Sequence, residues 1–213
     1  MAARARRSVG RGERRRLETR AKLIRAAHEL MAEKGINATT IQEITDTADV
    51  GFGSFYNHFE SKEAIIEAIM AEMLETFGNA LDRISEAVAD PAEVLSASLR
   101  YGVERAISEP DLGWFLVHSG LSAHRMRLGL GVRMARDIRL GIESGRLQAD
   151  DLEATLFAVG GIVLSIMAAR LNGELESEAP ERAAILALNL LGISNPEARE
   201  IAHRPLPPLD FSQ

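Results

Sequence analysis

The sequence predicts an all-α chain: an N-terminal three-helix domain of helix-turn-helix type followed by a larger helical domain. Apolar residues recur at three- and four-residue steps along most of the 213 residues, and no stretch alternates as a half-buried strand would. Residues 37–62 spell a capped short helix, a tight turn and a second short helix with its own stop. Proline and glycine then divide the remainder into helix-length pieces.

The first sixteen residues hold Arg4, Arg6, Arg7, Arg11, Arg14, Arg15 and Arg16 among small residues, without an apolar period. Residues 1–16 are therefore expected to be a disordered basic arm that adds phosphate or minor-groove contacts. Over residues 17–34, Leu17, Ala21, Ile24, Ala27, His28 and Met31 keep a helical period, and Gly35 stands where a left-handed stop is wanted. Thr40 and Glu43 have capping-box spacing, as do Thr39 and Gln42 one residue earlier. Ile41, Ile44 and Ala48 give the helix that follows one apolar side, and Asp49-Val50-Gly51 breaks it, with Val50 expected to turn inward. Phe55 and Phe59, four apart, anchor the second short helix. A helix below about 12 residues is marginal in water and needs tertiary packing, which residues 17–34 supply. Three helices around one small core is the architecture that presents a recognition helix to the DNA major groove.

Glu60-Ser61-Lys62-Glu63 reads as the cap of the next helix. Helices are expected over 62–87, 91–108, 111–120, 126–144, 150–172 and 180–192, with breaks at Asp90-Pro91, Glu109-Pro110, Gly145, Asn172-Gly173 and Ala179-Pro180. The domain reading is 1–16 arm, 17–62 DNA-binding domain, 63–203 helical body and 204–213 proline-rich tail, the tail being extended.

Charge supports this division. The chain carries a net −6, but residues 1–62 hold 12 Lys and Arg against 8 Asp and Glu, a balance of +4, and the rest hold 13 against 23, a balance of −10. A basic head on an acidic body orients the molecule toward DNA. There is no cysteine, which excludes disulfides, thiolate metal sites and cysteine nucleophiles. The arginines at the N-terminus have no apolar stretch behind them, so no signal peptide is read and a cytoplasmic location is expected.

The residues Gly35-Ile36-Asn37-Ala38-Thr39-Thr40-Ile41, Ile44, Ala48, Val50, Ser54-Phe55-Tyr56-Asn57-His58-Phe59 and Ser61-Lys62-Glu63 resemble the tetracycline-repressor (TetR) family of regulators, over roughly residues 17–70. The resemblance implies that the second and third helices form the reading head, and that the C-terminal domain dimerises and holds a small effector. It implies phosphate contacts from Thr40, Tyr56, His58 and Lys62, and base-edge contacts from Gln42, Phe52, Ser54 and Asn57. The chemistry fits: hydroxyl, imidazole and ammonium groups donate to phosphate oxygens, amides pair with adenine, and an apolar side chain meets a thymine methyl. At Gly51-Phe52-Gly53 the chain departs from the commoner pattern of Ser, a basic residue and a small residue. No charged base contact is expected at Phe52, and Gly51 and Gly53 would let backbone approach DNA closely.

In the body, Ala154 to Ala169 are sixteen positions without a charge. A membrane span needs about 20, so a helix buried on nearly all sides is expected instead. Ala154, Ala158, Gly161, Ser165 and Ala168 form a small-residue stripe along it, and the last helix brings Ala184, Ala187, Leu188 and Leu191. The resemblance implies that these two helices pair with their copies as a four-helix, two-fold homodimer interface. Tyr101, Trp114, Phe115, His118, Met134, Phe157 and Met167 are the candidate lining of an apolar effector pocket. His118 and His124 do not share a helical face and make no metal site, and no cofactor is implied. The function expected is a dimeric repressor that reads a near-palindromic operator. Two rivals stand beside it: the same head answering to a protein partner or to no ligand, and a helical enzyme, for which no polar constellation is found.

Overall fold

The structure is a computed structural model that describes residues 10–119, 129–175 and 177–209. Among these there are ten helices and no strand. They are α1 (Arg11–Lys34), α2 (Ile41–Thr47), α3 (Phe52–Phe55), α4 (Lys62–Ala87), α5 (Pro91–Ser108), α6 (Pro110–Ser119), α7 (Gly129–Glu143), α8 (Leu152–Leu171), α9 (Ala179–Leu190) and α10 (Asn195–Ala202). The chain forms two compact units, Met1–Glu72 and Met73–Gln213, with the boundary inside α4. The head thus extends ten residues beyond the expected limit at 62, and the C-terminal segment belongs to the body.

In the first unit, α1 begins at Arg11 rather than Leu17, so residues 11–16 of the expected disordered arm are helical. Arginine is a good helix former, Arg14 pairs with Glu18 four residues on (3.4 Å), and the Thr19 hydroxyl donates to the Arg15 carbonyl (3.0 Å). The buried face of α1 is Leu23, Ile24, Ala26 and Ala27, while Leu17, Ala21 and His28 are exposed, which corrects the expected stripe. The early turns of α1 project past the small core. Gly35 ends α1 with φ +86, and its N–H donates to the Met31 carbonyl (2.9 Å). Of the two possible capping boxes the chain uses Thr40 with Glu43. Thr39 is instead buried, and its hydroxyl donates to the Gly35 carbonyl (3.0 Å). Ile44, Ala48, Phe55 and Phe59 fill the core, and burying a side chain such as Phe55 stabilises by about 1.5–3 kcal/mol. The α2–α3 turn passes through Asp49 in the left-handed region (φ +54), with the Val50 N–H on the Thr45 carbonyl (3.0 Å).

The second unit is arranged around α5, which packs on α6, α7, α8, α9 and α10. Asp90 caps α5, with Pro91 in its first turn. One cluster joins Leu95, Ile138, Leu147, Leu188, Leu191 and Ile201; a second joins Phe77, Leu81 and Ile84 of α4 to Ala97 of α5. The C-terminal segment is a strap rather than a free extension. Leu206 and Leu209 pack on the second cluster, the Tyr101 hydroxyl donates to the Pro207 carbonyl, and Arg100 donates to the Arg204 carbonyl (2.8 Å). A polar ladder ties α4 to α7: Arg133 bonds Glu75 (2.9 Å), Asn79 (2.7 Å) and Asp82 (2.9 Å), and Arg136 bonds Asp82 (2.6 Å).

The two apolar helices near the C-terminal end of the body differ in how far their own chain covers them. In α8 only Val159 and Met167 are buried, so the uncharged helix is not enclosed by its own chain. Ala154, Ala158 and Ser165 are exposed, and Gly161 and Ala168 half-buried. By length and composition this helix is apolar enough to cross a membrane, but a composition of this kind equally suits a helix covered by protein. In α9 and its C-cap, Ala184, Ala187, Leu188 and Leu191 are fully buried in the chain's own core and have no surface to offer a partner. The open side of that helix carries Leu186 (48% exposed) and Leu190 (46%) instead.

Candidate nucleic-acid interface

All ten residues expected to meet DNA lie in the first unit. Gly51 is the N-cap of α3, and the Ser54 N–H donates to its carbonyl (2.7 Å). Since α3 is a single turn, Tyr56, Asn57 and His58 sit on the turn that leaves it, held by the His58 and Phe59 N–H groups on the Phe55 carbonyl (both 2.9 Å). Phe52 is 46% exposed and Tyr56 52% exposed; their rings meet edge to face at 5.8 Å, and Tyr56 also meets the buried Phe55 at 5.4 Å. Phe52 is therefore a surface aromatic and not part of the core. Two large exposed rings beside three small or polar residues form a surface suited to base edges and sugar. Asn57, Gly51 and Gly53 are exposed with them, and Ser54 is half-buried.

Thr40 and Lys62 are more committed than expected. The Thr40 hydroxyl donates to Glu43 Oε2 (2.7 Å) and accepts from the Glu43 N–H (3.3 Å). Its donor is thus engaged in the capping box of the DNA-free chain. Lys34 hydrogen-bonds the same carboxylate, and these bonds from Lys34 and then Thr40 hold Glu43 down to about 2. Lys62 Nζ reaches the Asn37 carbonyl at 3.4 Å, which leaves two of its donors unspent. Gln42 is exposed, and its Nε2 donates to Asp46 Oδ1 at 2.8 Å.

Sequence reasoning passed over the partners of His58. This ring is half-buried; burial holds its pKa below the ordinary 6.5, and the positive charges of Arg16 and Arg20 push the same way. Arg20 lies over the Phe59 ring (5.1 Å) and reaches Glu72 (3.9 Å). The four-residue spacing of Arg16 and Arg20, one turn apart on the same helix face, was the available signal.

The seven residues expected to line a pocket are spread over α5, α6, α7 and α8. Trp114 and His118 stack at 5.3 Å on α6, and Phe115 and Phe157 are half-buried. Tyr101, Met134 and Met167 serve three separate apolar clusters. His124 lies outside the described residues.

A capped helix-turn-helix with exposed aromatics and flanking arginines, joined to a helical body, defines a DNA-binding regulator. A model of the tetR family of bacterial regulatory proteins matches residues 23–69, and a model of the tetracyclin repressor-like C-terminal domain matches residues 90–204. The chain belongs to the TetR family of transcriptional regulators. It is 32% identical over 77 residues to the HTH-type transcriptional repressor KstR2 of Mycolicibacterium smegmatis, covering 36% of this chain and 38% of that one. With KstR2 of Rhodococcus jostii it shares 41% over 56 residues, 26% and 28% of the two chains. The matches thus span well under half the length of these curated relatives. Among solved structures it is similar to RolR in complex with resorcinol, at 36% identity and a TM-score of 0.81 over 92% of this chain and 99% of that one. It is also similar to Thermus thermophilus FadR in complex with lauroyl-CoA, at 26% identity and a TM-score of 0.66 over 81% and 92%.

Proposed function

We propose that the protein is a homodimeric repressor that reads a near-palindromic operator in the cytoplasm and leaves it when a small, largely apolar effector binds. The observation that carries the reading is the open face of the head, where Phe52, Tyr56, Asn57 and Gln42 stand exposed on elements fixed by the capping box and by Phe55. Tyr56, His58 and Lys62 position the head on phosphates, and Gln42, Phe52, Ser54 and Asn57 meet base edges.

The support for dimerisation is the open face of α8. Its exposed small residues Ala154, Ala158 and Ser165 permit close approach of a second backbone, and α9, which packs on α8, exposes Leu186 and Leu190. An uncharged helix left open on one face calls for a cover, and in this reading a second copy supplies it. Two heads then meet successive major grooves, about 34–36 Å apart.

The effector is proposed to be a monocyclic phenol, because the RolR complex with resorcinol aligns with nearly the whole chain at 36% identity. Such a ligand acts only through its differential affinity for the DNA-bound and free shapes of the body. The test is titration of the protein–operator complex with resorcinol and, separately, with lauroyl-CoA. Release by the phenol alone is expected. Release by the acyl-CoA alone overturns the phenol assignment, and release by neither turns the reading toward a protein partner.

A further inference from the structure

We infer that Asp46 is a specificity-determining positioning residue, which fixes the amide of Gln42 so that the pair reads adenine and rejects guanine. The inference rests on the proposed role of Gln42 as a base-contacting residue.

A primary amide offers two N–H donors on one atom and two lone pairs on the other, and it turns easily about its terminal torsion. A free glutamine can therefore present its NH2 end alone to the paired acceptors of guanine, or its mixed donor–acceptor edge to adenine. In α2 this freedom is removed. Gln42 and Asp46 stand four residues apart on the exposed side of the helix, opposite buried Ile44, Thr45 and Ala48, and Nε2 donates to Oδ1 at 2.8 Å. A carboxylate accepts only, so the flipped amide would set Oε1 against Oδ1 and is excluded. In the proposed geometry the N–H spent on Asp46 is the one anti to Oε1, which leaves the syn N–H and Oε1 side by side. That edge matches N7 and the N6 amino group of adenine, whereas guanine requires a donor where Oε1 lies.

The side chain of Asp46 needs no DNA contact of its own for this role. As a negative charge near the duplex it weakens binding to every sequence alike, and as an i, i+4 partner it contributes a little to helix stability. Neither effect changes the ranking of bases at one position. The ranking is thus the readout that a merely structural residue would leave alone.

The experiment is selection of bound sequences from a random duplex pool by the full chain, comparing wild type, Gln42→Ala, Asp46→Ala and the double variant, with circular dichroism confirming equal helix content. Wild type is expected to prefer adenine over guanine at one position in each half-site. Gln42→Ala should abolish that preference, and Asp46→Ala should reduce it about tenfold at the same position while leaving all others in place. The double variant should match Gln42→Ala. If Gln42→Ala removes the preference and Asp46→Ala retains it, the role given to Asp46 is wrong although Gln42 reads DNA. If Gln42→Ala changes no preference, the reading of Gln42 fails and the inference falls with it. A loss of base preference for Asp46→Ala that is spread over all positions, and not confined to the one set by Gln42, also overturns the inference.

Discussion

Replacing Gly78 with alanine probes how α4 is held to α7, and its effect should change sign with the residue at position 133. A Cβ at position 78 would stand 2.6 Å from the Arg133 guanidinium, too close to coexist with it. The guanidinium is not free to swing aside, because Asp82, Asn79 and Glu75 all hold it. Glu75 is 57% exposed, so that limb is worth under about 1 kcal/mol. The inner bond to Asp82 is charge-assisted and worth about 1.5–3 kcal/mol, and Arg136 continues to satisfy Asp82 when it is lost. Against these stands the helix propensity gained, about 0.5–1 kcal/mol for glycine to alanine. Gly78→Ala should therefore destabilise by about 1–2 kcal/mol, and Arg133→Ala by about 2–3 kcal/mol. In the Arg133→Ala background the obstruction is gone, and Gly78→Ala should stabilise by about 0.5–1 kcal/mol. Urea unfolding of the four proteins followed by circular dichroism measures the cycle. Equal effects of Gly78→Ala in both backgrounds, or stabilisation in the wild-type background, would refute the reasoning.

Three further outcomes are expected. His58 has its folded pKa lowered by burial and by Arg16 and Arg20; the unfolded chain takes up the proton first, so head stability falls as pH drops from about 6.5 through the folded value. A phosphate beside the ring favours the charged form, so operator affinity should rise between about pH 7.5 and 5.5, and His58→Gln should flatten that slope; an unchanged slope contradicts the phosphate role. Tyr56→Phe should weaken all DNA sites alike by about 1 kcal/mol, whereas Asn57→Ala should alter preference among sites; uniform loss for Asn57→Ala would overturn the division into positioning and reading residues. Ala158→Glu places a charge on the small-residue stripe of α8, and sedimentation should find a monomer with unchanged helix content where wild type is a dimer; a persistent dimer removes α8 from the interface.

The head is legible in the sequence because its signals are local. Thr40 with Glu43, Gly35, and the four-residue step from Phe55 to Phe59 each act over one turn, and all three appear in the structure where the spacing puts them. The ends of α4 and α5 are legible for the same reason, since Ser61 and the Asp90-Pro91 pair set them within a residue. The small helix α10 escaped notice although Ser194, Pro196 and Glu197 mark its start; its eight residues carry only Ala198, Ile201 and Ala202 on the buried face. Periodicity also cannot separate a face buried in its own chain from one left open. In α9 both kinds are apolar, and Ala184 and Leu188 turned out to be inside where Leu186 and Leu190 are outside. The ladder at Arg133 is illegible in principle, since its partners lie 51 to 58 residues away. At Gln42 a base contact is what the family resemblance implies, whereas the hydrogen bond to Asp46 on which the further inference rests is visible only in the folded side chains.

In the proposed function, two identical heads read specific bases on a symmetric site. Selection from a random duplex pool by the purified protein at near-physiological salt tests it most directly. An inverted repeat should be enriched, with half-sites about one helical turn or a multiple of it apart. Recovery of no preferred sequence, with only weak binding that fades as salt rises, would mean that the N-terminal arginines dominate the interaction, and would contradict it.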